Sequence, residues 1–448
     1  MSDLSQFFDQ FAIAWALIAN TWWLWAPPLL CYIGWQFWLF YLRVRYVSNL
    51  AWVLLEGRIP RTIQKTPEAM EQIFFGLQTM YWDFDPLEKY WEGLQHDYII
   101  FEMVSMGGDT RFYIRAPVFF RNVVEAQIYA QYPEAEVSEV EDYMGQLPRD
   151  VPSDEWDLFG VEFKLAKEDA YPLRTYRDIV ALAPNQEEFT KVDPFASIAE
   201  MFGKTRPGEH VGFHILFRPT QEPSTDHWKK EGEKLVAKLT GKKVAPEKGW
   251  LGGLLEPAEP VLRGWGEPLR PLFGLGPGEV RPPQREEAGI GTSLMLHLSP
   301  GTRDIVAAIE RNILKPGFEC VVRFCYVARR DVFSLSQLSS FIGALKTYNT
   351  QTMNAFVLNS KSMPTQLPWW WPSPIKRWRK AYRKRLYYWY YQIRKPFRDT
   401  FSLRSAVIVL NTEELATIFH FPTMSAKAPM IPRIEARRSE PPATLPVG

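Results

Sequence analysis

The feature that most constrains this chain is an uncharged run from Gln10 to Leu42, QFAIAWALIANTWWLWAPPLLCYIGWQFWLFYL. It is longer than the roughly 20 residues that a helix needs to cross a bilayer. Tryptophan and tyrosine cluster on both sides of its middle, as in the aromatic belts of membrane proteins. The run therefore predicts one transmembrane helix within a membrane anchor at residues 1–50. Pro27 and Pro28 predict either a kink in that helix or a break between it and a separate interfacial helix.

Charges on the two sides of this run predict an orientation. Asp3 and Asp9 precede it, whereas arginine and lysine follow it at positions 43, 45, 58, 61 and 65. By the positive-inside rule the basic side faces the cytoplasm. We therefore expect a single-pass protein of the inner membrane, with the lipid bilayer as a partner, the N-terminus outside and the remainder of the chain in the cytoplasm.

Helix and strand patterns alternate in the rest of the chain. Pro67 begins a helix after Thr66, and the strands DYIIFEMVS and DTRFYIRAP are joined by a hairpin turn at Met106–Asp109. A helix and a further strand follow, and a similar order of elements returns after residue 191. This order predicts the α+β class, as two ferredoxin-like units with antiparallel sheets.

Composition divides the chain into segments. We expect a first α+β unit at residues 51–190 and a second at 191–360, interrupted by a flexible Gly/Pro-rich insertion at 241–292. A basic aromatic segment follows at 361–400, and a final strand, a short helix and a proline-rich tail occupy 401–448. The 52 basic and 51 acidic residues nearly cancel, so any argument for a charged partner depends on local patches.

Signals for catalysis and for cofactors are weak. Three cysteines are too few for a disulfide framework, and Cys320 and Cys325 fall on opposite faces of one predicted strand. FGKT at Phe202–Thr205 lacks the first glycine of a phosphate-binding loop and the strand that should precede it. His210 and His214 lie in a predicted strand without the glutamate of a zinc-protease motif. We therefore expect no enzyme activity, no cofactor and no metal site.

The segment Trp369–Arg398, WWWPSPIKRWRKAYRKRLYYWYYQIRKPFR, is the most strongly biased in the chain. As a helix it would combine a basic surface with aromatic residues every three or four positions, which suits anionic lipid headgroups. The same chemistry suits a nucleic-acid backbone with base stacking, and a helix that packs its aromatic side on the protein core is a third interpretation. The predicted binding residues are Lys376, Arg377, Trp378, Arg379, Lys380, Arg383, Lys384, Arg385 and Trp389.

The C-terminal stretch LNTEELATIFHFP predicts a short helix capped by Thr412, followed by an extended tail that connects to a partner. The partner contacts that we expect here are Glu413, Glu414, His420, Arg433, Arg437 and Arg438.

This stretch, together with KAPMIPRIEARRSEPPATLP, resembles the end of the N-terminal region of membrane-anchored proteins linked to type IV secretion and conjugation, many from candidate-phyla bacteria. YVSNLAWVLLEGRIPRTIQKTPEAMEQIFFGL and FRNVVEAQIYAQYPEAEVSEVEDY are similar to earlier parts of the same region. In such proteins the region leads into a HerA/FtsK-like coupling ATPase domain, which is expected to be absent from this chain because the chain ends at Gly448.

The resemblance implies a non-catalytic, membrane-anchored scaffold or adaptor of a secretion or DNA-translocation assembly that works with a separate HerA/FtsK-like P-loop ATPase. The alternative is a nucleic-acid-binding or anionic-lipid-binding module that acts through residues 376–398 of the basic aromatic segment. A homo-oligomer and DNA remain open as further partners.

Overall fold

A computed structural model describes residues 20–60, 65–181, 193–220, 227–240, 299–363, 371–394 and 406–422. Helices pack on an antiparallel sheet of nine strands, so the predicted α+β class is confirmed. The strands are β1 Trp52–Arg58, β2 Ile99–Met106, β3 Asp109–Pro117, β4 Glu136–Glu139, β5 Trp156–Leu165, β6 Glu209–Pro219, β7 Gly317–Arg329, β8 Phe356–Leu358 and β9 Ile408–Asn411. The helices are α1 Trp22–Asn49, α2 Pro67–Leu77, α3 Arg121–Gln131, α4 Tyr176–Ala181, α5 Ala196–Gly203, α6 His227–Leu239, α7 Pro300–Ile313, α8 Ser336–Leu345, α9 Ser373–Gln392 and α10 Thr412–Ile418.

The strands are ordered β4-β1-β3-β2-β6-β7-β5-β8, and β9 pairs with the beginning of β7. Strands β1–β4 with α2 and α3 have the strand order 4-1-3-2 of a ferredoxin-like unit. Strands β5–β8 repeat this order in reverse, and β2 pairs with β6, with Glu102 opposite His214. The expectation of separate sheets is therefore wrong: one sheet runs through both sets of strands, and β5 belongs to the second set.

One face of the sheet carries the main hydrophobic core. Alternate residues of seven strands (β1–β3, β5–β7 and β9) point into it and are covered by α2, α3, α5, α8 and α10. Phe419, just after α10, contacts the rings of Phe101, Phe112, Phe195 and Phe213. The chain that follows β9 therefore completes the centre of this core.

The opposite face of the sheet is more polar. Cys325 lies there with Leu158 and Val327, whereas Cys320 lies in the main core, as the odd spacing of the two cysteines predicted. Tyrosines from the second half of α9 pack on this face. The sheet is thus covered on both sides, and its second cover is the basic aromatic helix.

The N-terminal helix α1 contradicts the predicted membrane anchor. In the part of the chain that the structure describes, no helix combines the length and the apolarity needed to cross a membrane. The predicted transmembrane helix is therefore wrong, and with it the single-pass inner-membrane topology. An uncharged run is not necessarily an apolar one, because indole N–H and phenol O–H groups are polar, and α1 also includes Arg43 and Arg45.

Contacts with the body of the protein involve the second half of α1. The Tyr46 hydroxyl donates to the Asp97 carboxylate at 3.1 Å, and Trp38 lies 6.0 Å from Trp91 between ring centroids. The helix continues through Pro27 and Pro28, so among the described residues they do not separate two helices.

Contacts within the chain divide it into two compact units, Met1–Asp226 with Lys315–Gly448 and His227–Leu314. The first unit contains the whole sheet. In the second, α6 packs against α7, with Trp228, Val306 and Ile309 buried. Of the predicted insertion 241–292, no residue lies within the described part of the chain.

Candidate functional site

Helix α9 carries the residues that the sequence singles out for binding. Pro374 lies in its first turn, where a missing N–H costs nothing. The helix ends at Gln392, and Arg394 follows with a φ of 48°, the left-handed region that L-residues seldom adopt. This turn directs the Arg394 side chain back towards the sheet, where it is 1% exposed.

Three tyrosines on one side of α9 are buried against the polar face of the sheet. The Tyr387 hydroxyl lies 2.9 Å from the Phe324 carbonyl and 3.1 Å from the Val161 carbonyl. The Tyr388 hydroxyl donates to the Pro148 carbonyl at 2.5 Å, and the Tyr391 hydroxyl lies 2.8 Å from His210 Nε2. Each ring therefore fills space between helix and sheet, while its hydroxyl satisfies a buried polar group.

Two glycines in the strands make room for these rings. A Cβ at Gly160 would lie 1.8 Å from Tyr387 Cε1, and a Cβ at Gly212 would lie 1.9 Å from the Tyr391 hydroxyl oxygen. Glycine within a strand commonly marks a close approach of another group. Here it allows α9 to lie close to β5 and β6.

A buried ion-pair network fastens the end of α9. Arg394 Nε lies 2.5 Å from Glu102 Oε1, and its Nη1 lies 2.6 Å from Asp142 Oδ2. Burial alone would lower the pKa of Arg394, but Glu102 and Asp142 raise it well above its ordinary value. The guanidinium is therefore a permanent positive charge between two carboxylates, at the junction of the two strand sets.

Two histidines complete this network in their neutral form. The Tyr143 hydroxyl donates to Glu102 at 2.7 Å, so its oxygen is left to accept a hydrogen bond from the His214 Nε2–H group at 2.9 Å. Burial, assisted by Arg394 and Arg323, lowers the pKa of His214 well below its ordinary value. Burial likewise lowers the pKa of His210 to about 3. Both rings are therefore uncharged near neutral pH.

A second buried pair lies on the neighbouring strands. Arg323 Nη2 donates to Glu162 Oε1 at 2.8 Å, and Arg323 Nη1 donates to the Tyr390 carbonyl at 3.3 Å. Glu162 also accepts from the Ala406 N–H at 3.3 Å. This pair connects the last turn of α9 and the chain before β9 to the sheet.

The predicted cations of α9 fall into two groups. Arg383 and Lys384 are buried: Arg383 donates to the Ser360 carbonyl at 3.1 Å, and Lys384 pairs with Asp157. Burial lowers the pKa of Lys384, and Asp157 partly offsets that effect. Arg383 and Lys384, which the sequence predicted to bind a partner, therefore hold α9 in place within the chain.

The other side of α9 faces solvent. Trp378, Tyr382 and Trp389 are 68%, 47% and 51% exposed. The rings of Trp378 and Tyr382 stack at 5.7 Å and 13°. Arg377 and Arg385 are exposed, Lys376, Arg379 and Lys380 are half-buried, and among the described residues no acidic side chain within 4 Å pairs with Arg377, Arg379, Lys380 or Arg385. We call this exposed side, from Arg377 to Trp389, the aromatic–cationic face.

Three of the predicted partner contacts, Glu413, Glu414 and His420, lie inside the protein. Lys315 Nζ lies 2.5 Å from Glu413 Oε2, and His420 Nε2 lies 2.8 Å from Asp193 Oδ1. The N-cap of α10 is Asn411 rather than Thr412, with Glu414 completing a capping box. Arg433, Arg437 and Arg438 lie outside the described residues.

Glu414 accepts hydrogen bonds from the N–H groups of Asn411 and Leu173 at 2.9 and 2.8 Å. Burial nevertheless raises its pKa to about 8. This carboxyl group is therefore a core acid whose ionisation opposes folding.

Sites for small ligands are less developed. A surface cavity of about 450 Å³ lies between α5 and α8 and is lined by serines, Glu200, Lys204 and the buried Glu209. Lys204 of the FGKT sequence follows the end of α5, and it pairs with Glu200 at 2.9 Å. Among the residues that the structure describes, no three His, Cys, Asp or Glu side chains are grouped to hold a metal ion.

Sequence reasoning missed the residues that hold α9, namely Glu102, Tyr143, Glu162, Arg323 and Arg394. A signal was available for Glu102, because it is an isolated charge within the otherwise apolar strand β2. A buried charge of this kind needs a partner. The sequence does not show that the partner of Glu102 lies 292 positions away.

Comparison with known proteins identifies the family. A family model described as a domain of unknown function, DUF8128, matches residues 64–432. The chain therefore belongs to the DUF8128 family. No curated protein matches it.

Proposed function

We propose that this DUF8128 protein is a non-catalytic adaptor that binds nucleic acid through the aromatic–cationic face of α9. The observation that carries the proposal is an exposed Trp378–Tyr382 stack beside cations without ion-pair partners in the described structure. Exposed aromatic rings are unfavourable because water must hydrate their apolar surface, and neighbouring cations are unfavourable because they repel one another. A polyanion with aromatic bases relieves both.

Phosphate groups supply the complement to the cations. Arg377 and Arg385 are exposed, and the protein as a whole has a formal charge of only +1. Binding would therefore depend on this local patch and on the release of counterions from the nucleic acid. Bases supply the complement to the tryptophans, because any base can stack on an indole ring.

The buried side of α9 supports the same proposal. Tyr387, Tyr391 and Arg394 fix the helix to the sheet by hydrogen bonds and ion pairs. The exposed side is then held in one orientation before any ligand arrives, which lowers the entropy cost of binding. The buried Glu102 pairs with Arg394 and the buried His214 stacks on Tyr391, so both help to anchor α9.

A role in a larger assembly is part of the proposal. The resemblance to the region that precedes a coupling ATPase in type IV secretion proteins suggests a scaffold beside a separate P-loop ATPase. A nucleic-acid surface is what an adaptor of a DNA-translocation assembly would use to present its cargo. This part depends on the resemblance alone.

A direct test compares charge reversals on and off the face. Arg377→Glu with Arg385→Glu should strongly weaken the binding of a labelled oligonucleotide, measured by fluorescence anisotropy. Lys229→Glu with Lys230→Glu, on α6, is the matched control with the same change in net charge. Removing the two arginine contacts should also reduce the slope of log affinity against log salt by about 1.4 for a single strand.

The same variants should be tested with phosphatidylglycerol vesicles. If the unmodified protein binds these vesicles and no oligonucleotide, the aromatic–cationic face recognises lipid headgroups and the proposal is wrong. If both pairs of substitutions weaken oligonucleotide binding equally, the attraction is not local to α9, and the proposal fails as well.

A further inference from the structure

Four exposed residues of α9 lie on one line along the helix. Trp378, Tyr382, Arg385 and Trp389 are spaced by four, three and four positions. Spacings of three and four alternate around one side of a helix, so the set stays within a narrow arc. Eleven residues separate the two tryptophans, which is about 16 Å at a rise of 1.5 Å per residue.

From this line we infer that the ligand is one unpaired strand, with a base stacked at each end and a phosphate on Arg385 between them. The inference rests on the proposed function and specifies its substrate. In a duplex, the flat surfaces of the bases are stacked on neighbouring base pairs, so they are closed to an indole ring. Only unpaired bases offer a free surface to both tryptophans.

The spacing also sets a minimum length. About 16 Å corresponds to about five nucleotides at the 3.4 Å spacing of a stacked strand, and to fewer where the strand is stretched. A shorter oligonucleotide can reach one tryptophan but not both. Affinity should therefore rise by about tenfold or more once the strand spans both rings, since each stacked base contributes on that scale.

The experiment uses the full chain and end-labelled oligothymidylates of two to twelve nucleotides, with a blunt duplex of the longest length for comparison. We expect a step in affinity near five nucleotides and weaker binding of the duplex. Trp389→Ala should remove the step and leave the affinity for the shortest strands unchanged. Trp91→Ala, another exposed tryptophan away from α9, is the matched control and should keep the step.

Three results would overturn the inference. Equal affinity for the duplex would show that base stacking is not used, and a smooth rise with length that Trp389→Ala does not alter would show that the two rings do not act together. In both cases the proposed function survives, because nucleic acid still binds. Absence of binding to every oligonucleotide removes the inference and the proposed function together.

Discussion

Helices α9 and α10 both contain charged residues that the sequence marks for a partner, yet the structure uses them in different ways. Every residue of α10 is buried, including Glu413 and Glu414. Helix α9 buries Arg383, Lys384 and three tyrosines and leaves the aromatic–cationic face in water. Charged residues in a helix therefore do not indicate exposure unless their counter-charges are known.

The difference follows from what each helix meets. The carboxylates of α10 find Lys315 and backbone N–H groups within the core. In α9, Arg383 and Lys384 meet carbonyl groups and Asp157 on the side that touches the sheet. Substitutions of the buried charges should therefore change the stability of the fold, whereas substitutions on the aromatic–cationic face should leave it nearly unchanged.

The largest effect is expected for Arg394→Met. This change leaves Glu102, which is 0% exposed, as a buried charge without its partner. Removing one member of such a pair costs about 3–5 kcal/mol, measurable as a lower free energy of unfolding in urea. Arg385→Met on the exposed side is the control, and its cost should stay within about 0.5 kcal/mol. Similar losses for the two variants would mean that Arg394 does not hold the helix.

Glu414→Gln should change how stability depends on pH. The pKa of Glu414 is raised from 4.5 to about 8 in the folded protein, so its contribution to stability is complete below pH 4.5 and is lost as the pH rises towards 8. Across that window, the free energy of unfolding of the glutamine variant should rise relative to that of the parent by at most about 1.4 kcal/mol per pH unit. Any cost of the amide group facing the Leu173 N–H does not vary with pH.

The measurement is the free energy of unfolding of both proteins at several pH values. Glu92→Gln, at an exposed position, is the control for the loss of one carboxylate. Parallel curves for Glu414→Gln and the parent would show that Glu414 is ionised in the core throughout.

Gly212→Ala should destabilise the contact between α9 and the sheet. The added methyl group would overlap the Tyr391 hydroxyl, and overpacking of this kind costs about 1–3 kcal/mol. Tyr391→Phe removes the overlapping oxygen, so the double variant should lose less than the sum of the two single losses. Gly343→Ala, with open space around its Cβ, should instead be neutral or stabilising. If the stability losses of the two single variants simply add in the double variant, the Tyr391 hydroxyl does not lie against position 212.

The smallest effect is expected on the exposed side of α9. Trp378→Ala should change the free energy of unfolding by no more than about 0.5 kcal/mol, since the side chain is 68% exposed. Its affinity for oligonucleotide should nevertheless fall. A large loss of stability, measured by thermal unfolding beside Trp91→Ala, would indicate that the ring packs on the protein.

Local sequence patterns predicted much of the fold. Thr66 and Pro67 mark the beginning of α2, and the two glycines at 107 and 108, both with positive φ, form the predicted hairpin turn. The buried side of α2, including Met70, Ile73 and Phe74, follows from helical spacing. These features depend on neighbours within a few positions, which is why the sequence alone reveals them.

The candidate site was predictable only in part. The sequence located the basic aromatic helix and its tryptophans. It did not separate Arg383 and Lys384 from Arg377 and Arg385, because that division depends on which side of α9 meets the sheet. It also placed Glu413 and His420 at a partner surface, whereas both have partners within the chain.

By itself, the sequence determined the α+β class, the helix that begins at Pro67 and the alternation that gives each strand two faces. Only the tertiary structure decided that β2 pairs with β6, that Gly160 and Gly212 admit tyrosines, and that Glu102 meets Arg394. The reason is physical. Hydrogen bonding and spacing within an element are local, whereas the energy of a buried charge depends on a partner that long-range folding brings within 3 Å.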